Sequence, residues 1–73
     1  MLKGAREGVV RHIQPVSIHG QISLDVIYVD PEALDGQAYV ARLGPESIPK
    51  DLEPGDRILV HFLMGAATSV TRA

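Results

Sequence analysis

The chain has 73 residues, a net charge of −2 and no cysteine. That length allows one domain with one core, and the lack of cysteine excludes both a disulfide framework and a thiolate metal site as its support. Hydrophobic residues make up 45% of the chain but Phe, Tyr and Trp only 4%, so the interior has to be Val, Ile, Leu and Ala.

Charge is unevenly spread. Lys3, Arg6 and Arg11 against Glu7 leave residues 1–20 at +2, eight acids against Arg42 and Lys50 leave residues 21–56 at −6, and Arg57 and Arg72 leave the remainder at +2. No run approaches the roughly 18 apolar residues of a membrane span, and the start lacks the apolar core of a signal peptide, so the expectation is a cytoplasmic protein with no membrane contact.

Residues 1–7 are polar without a clear period and read as a loose lead-in. Gly8–Ile18 is β-branched and reads as a long, bent first strand, with Pro15 at a bulge or an unpaired position because it has no N–H to give a ladder. His19-Gly20 suits the turn of a hairpin. Ile22, Leu24, Val26 and Tyr28 then alternate with Ser23, Asp25, Ile27 and Val29, which places the even positions of strand two on the core side.

Asp30–Gly36 is acidic, rich in turn formers and reads as an exposed loop. Residues 37–43 form a third strand whose inward face stays open: Tyr39 with Leu43, or Ala38 with Val40. Glu46–Leu52 holds two prolines' worth of interruption with its flank and allows no more than a turn of helix, from which Ile48 and Leu52, four apart, could plug one end of a barrel.

Pro54-Gly55 fits the centre of a type II turn and launches the most apolar run, Ile58–Met64, a strand apolar on both faces and broken only by His61. Gly65-Ala66-Ala67 turns the chain into Thr68–Arg72, a fifth strand by its Thr and Val content. The fold expected is all-β: a small five-stranded OB-like barrel, with its short helical turn between strands three and four. An SH3-like barrel is the rival, but its helical turn belongs between the last two strands, where this chain has no room. Ile22, Leu24, Val26, Ile58, Val60 and Val70 are the expected core.

Glu7-Gly8-Val9-Val10 and Leu52–Val60 resemble the matching segments of RNA-binding OB domains, notably bacterial translation initiation factor one, over about a third of the chain. The resemblance implies an OB barrel and an RNA ligand. Gly55–Phe62 followed by Leu63–Ala66 is also similar to the last strands of the small hydrogenase-maturation chaperones. Those proteins act through a cysteine after the initiator methionine, and here that position is Leu2, so this second resemblance implies a barrel alone.

Base stacking has three aromatic candidates, Tyr28, Tyr39 and Phe62. Tyr28 and Phe62 fall on apolar faces and read as core, whereas Tyr39 stays open between the core side and a position projecting beside Arg42. Lys3, Arg6, Arg11, Arg57 and Arg72 lie on strands that neighbour one another in an OB barrel, and the phosphate contacts are assigned to Arg11, Arg42, Arg57 and Arg72. His12, His19 and His61 match no metal-ligand spacing, the acidic loop matches no calcium loop, and no nucleophile, phosphate-loop or paired-carboxylate motif occurs, so neither a cofactor nor catalysis is expected. The function expected is a binding module for single-stranded nucleic acid, RNA or DNA; the alternative is a protein-interaction or chaperone-like adaptor. A barrel accepts only one face of strand four, so Leu59, His61, Leu63 and Met64 are the expected contact of a homo-oligomer.

Overall fold

The computed structural model describes residues 3–73, with Lys3 represented by its backbone. Met1 and Leu2, the start of the expected lead-in, lie outside the described residues. The elements are β1 (Lys3–Ile18), β2 (Gln21–Val29), β3 (Ala38–Leu43), a 3-10 turn (Pro45–Ser47), β4 (Arg57–Leu63) and β5 (Ala66–Arg72). They form one antiparallel sheet in the order β3-β2-β1-β4-β5. No helix among the described residues is long and apolar enough to cross a membrane.

β1 organises the sheet because its two halves serve different neighbours. Lys3 to Val9 pairs with β4 from Leu63 to Arg57, and Val9 to Ile18 pairs with β2 from Val29 to Gln21. Residues 3–7 are therefore strand and not lead-in; their backbone is satisfied by β4 whatever their side chains, which is why polarity misled. A bulge at Arg11 separates the halves, since Val10 lies opposite Tyr28 and His12 opposite Ile27. The bulge falls four residues before Pro15. Val10 turns its backbone toward β4, its N–H donating to the Asp56 carbonyl at 3.0 Å and its carbonyl accepting from Gly55 at 2.7 Å. Alternation past the bulge then turns Ile13, Pro15 and Ser17 away from β2, toward an edge that no strand occupies. The missing N–H of Pro15 thus costs no ladder bond.

Both hairpins use two-residue turns with positive φ at each position: His19 (50°) with Gly20 (81°), and Met64 (53°) with Gly65 (84°). This geometry matches the right-handed twist of the flanking strands. Met64 is consequently a turn residue, 77% exposed, and not the last residue of β4. At Glu53–Asp56 the expected turn forms, with Gly55 at φ 95° and the Asp56 N–H donating to the Glu53 carbonyl at 3.1 Å.

The core comprises Val10, Val26, Tyr28, Ala41, Leu43, Ile48, Ile58, Val60 and Val70. Ile48 plugs it from below, and Leu24 and Leu52 pack half-buried at its margin. Ile22 is the exception to the expected set: at 53% exposure it lies outside, because it pairs with Ser17 near the hairpin tip, beyond the reach of the segment that covers the inner face. β3 and β5 approach one another, but no ladder joins them. The sheet coils around its core without closing into a barrel.

Candidate functional site

The inner face of β3 carries Tyr39, Ala41 and Leu43, which decides the parity left open by the sequence. Tyr39 stacks on Tyr28 with ring centroids 5.6 Å apart, and the Arg6 guanidinium lies 4.6 Å from the Tyr39 centroid. Beneath them Gly8 leaves room for the Tyr28 ring: a Cβ there would stand 2.6 Å from Tyr28 Cδ2. Tyr39 therefore does not project beside Arg42. The two side chains leave opposite faces of β3, because 39 and 42 differ in parity.

Arg42 lies on the outer face, where β2 and β3 set it directly opposite Asp25. It grips that carboxylate with both arms of the fork, Nε to Oδ1 at 2.7 Å and Nη2 to Oδ2 at 3.0 Å. The hydrogen bonds from Arg42 hold the Asp25 carboxyl below its ordinary pKa, outweighing the desolvation that opposes them, and Asp25 in return raises Arg42. Arg72 Nη1 donates to Asp56 Oδ2 at 2.9 Å, and the same oxygen accepts from the Glu53 N–H at 2.9 Å. Both bonds lower the Asp56 pKa, the backbone one more than the arginine. Arg57 approaches Glu7 at 3.9 Å. Arg11 meets no carboxylate among the described residues; its Nη1 donates to the Leu34 carbonyl at 2.9 Å and ties the acidic loop to the bulge.

The expected phosphate-binding set is thus not brought together. Arg42, Arg57 and Arg72 each lie against an acid, Arg11 braces a loop, and the side chain of Lys3 lies outside the described residues. Exposed pairs of this kind contribute little to stability, because water and salt screen them. Their larger effect is to cancel the local positive potential that a phosphate would need.

The expected oligomer face divides. Leu59 and His61 are half-buried between β1 and β5, and His61 Nε2 lies 2.8 Å from Thr71 Oγ1, while Leu63 and Met64 stand exposed at the hairpin end. No group of three or more His, Asp or Glu among the described residues is placed to hold a metal ion.

Two surfaces escaped the sequence reading. The outer face of β1–β2–β3 shows His12, Ile27 and Val40 in one row and Gln14 with the Asp25–Arg42 pair in the next, with Val40 60% exposed. A groove of about 380 Å³ opens at the other end of the sheet, lined by Ile13, Leu24, Ile48 and Leu52, with Glu46 and Lys50 on its rim. The spacing of Ile48 and Leu52 pointed to it; the other wall needed the register of β1 on β2. No family model, no curated protein and no solved structure matches the chain.

Proposed function

We propose that the chain is a non-catalytic binding module of OB type, with β3 and β5 as the open seam of the barrel, and that its ligand is a protein bound on the outer face of β1–β2–β3. The observation that carries this reading is the neutralisation of the cations. Arg42, Arg57 and Arg72 are all matched to carboxylates, and the face that OB domains use for oligonucleotides carries exposed Val40 beside Ile27 and, among the described residues, no Phe, Tyr or Trp. A neutral surface with an apolar row suits a protein partner better than a polyanion. The absence of cysteine suits a cytoplasmic module.

Affinity capture from the source cell with the wild type and Val40→Asp tests it. Val40 is exposed, so the variant should fold, and the partner retained by the wild type should be lost. Capture of the same proteins by both would remove this face from the site.

A second reading is favoured by one observation: Arg6, with no carboxylate partner among the described residues, lies on the Tyr39 ring, and a cation beside an aromatic face is a pairing that nucleobases and phosphates exploit. Under it, single-stranded RNA or DNA binds weakly, with an affinity that falls linearly in log–log salt titration and is weakened by Arg6→Ala and Tyr39→Ala. No binding at low salt would exclude it.

A further inference from the structure

Val29 is 1% exposed, yet it stands apart from the cluster that forms the core. Its place in the sheet explains why. Side chains alternate along β2, so Tyr28 points inward and Val29 outward, in a row with Val9 on β1 and Ala38 on β3. This row lies next to half-buried Ile27 and exposed Val40. An outward valine is hidden from water only if something lies over it, and no strand among the described residues does. The chain that leaves β2 directly after it, Asp30–Gly36, does not pass straight to β3. It swings over to β1, where Arg11 Nη1 donates to the Leu34 carbonyl at 2.9 Å, and returns to β3 at Ala38.

We propose that Asp30–Gly36 is a strap over Val29, latched to the sheet by Arg11, and that its opening adds Val29 to the apolar row that Ile27 and Val40 begin. The bonding of the loop favours this. The Ala33 N–H donates to the Asp30 carbonyl at 2.9 Å, the Glu32 N–H to Asp30 Oδ1 at 2.9 Å and the Gly36 N–H to the Ala33 carbonyl at 2.8 Å, so the strap keeps its own shape. Among the described residues its one hydrogen bond to the sheet is the Arg11 latch. Little apolar surface holds it down: Leu34 is 52% exposed, and Asp30, Pro31 and Glu32 wall a polar cleft of about 400 Å³ with Arg6, Glu7 and Arg57. A segment with few buried apolar contacts and one bond to the body opens at a free energy well below that of global unfolding. The role of the strap rests on the protein-binding reading of the outer face: a partner that covers Ile27, Val40 and Val29 together binds only the open state, so its apparent affinity is scaled down by the fraction of chains that are open.

The chain has no cysteine, so a single introduced thiol in the full chain reports on the strap without any partner. Val29→Cys should react slowly with a neutral thiol reagent, and Val40→Cys at the rate of an exposed thiol. Arg11→Ala, which removes an exposed side chain, should speed the reaction of Val29→Cys by about tenfold or more. The same change should leave Val26→Cys, within the core, as slow as before. A Val29→Cys thiol as fast as that of Val40→Cys while Arg11 is present would mean no cover. A Val29→Cys rate indifferent to Arg11→Ala would mean no latch, and a Val26→Cys thiol that speeds up in step would mean global loosening in place of a strap. Each of these overturns the proposal and leaves the protein-binding reading to be judged by Val40→Asp, whose failure would not alter the thiol rates.

Discussion

Gly8 shows how one side chain's absence shapes the inner face. With no Cβ, Gly8 leaves room for the Tyr28 ring against β1, and Tyr39 stacks on that ring with Arg6 over Tyr39. Gly8→Ala would place a methyl 2.6 Å from Tyr28 Cδ2, against a ring 2% exposed. Because Tyr28 is wedged in the core and has no room to retreat, the substitution should overpack it and cost about 1–3 kcal/mol, seen as a lower midpoint in urea at unchanged slope. An unchanged midpoint would mean that the ring swings aside freely. Val60, fully buried, tests the opposite error: Val60→Ala should leave a cavity and lower the same midpoint, a change readable because a chain of this size has little stability to spare.

Strands were legible where one face is apolar and the other polar. β2 declared its inner face through Val26 and Tyr28, the turns at His19-Gly20 and Pro54-Gly55 lay where the turn residues put them, and Ile48 plugs the sheet as its spacing implied. β1 before Gly8 was illegible because its ladder with β4 needs no apolar alternation, and residues 3–7 show none. β3 was illegible because Ala, Val, Tyr and Leu occupy both faces. The cations were misread for another reason: Arg42 and Asp25 are 17 residues apart and become partners only through the β2–β3 register, which no local pattern reveals. The free edge of β1 makes a prediction at this scale. Pro15 turns its nitrogen toward that edge and blunts it against strand addition. Pro15→Val restores an N–H there without changing the pairing to β2, and light scattering should then show species larger than any dimer. A variant no more prone to aggregate than the wild type would mean that the edge is protected by something other than Pro15.

For the molecule as a whole, the ionisable groups that depart from their ordinary pKa bound the pH range in which so small a core holds. Asp25 and Asp56 are lowered on folding, so between their folded and unfolded pKa values the unfolded chain binds more protons. Their contribution is present above about pH 4, the unfolded value, and is lost as the pH falls through the folded values. Tyr28 is raised, chiefly by its burial, with Arg6 opposing. Its contribution is complete below about pH 10 and is lost as the pH rises from there through the folded value, since the unfolded phenol ionises first. Stability should therefore form a plateau through neutrality with an acid limb and an alkaline limb. Asp25→Asn should lower the plateau, since Arg42 loses its charged partner, and should converge on the wild type at the foot of the acid limb, where the wild-type carboxyl is itself protonated. Tyr28→Phe should flatten the alkaline limb and leave the acid one in place. Urea unfolding at a series of pH values decides both: an acid limb as steep in Asp25→Asn as in the wild type would assign it to other carboxylates, and an alkaline limb that survives Tyr28→Phe would take it away from the buried phenol.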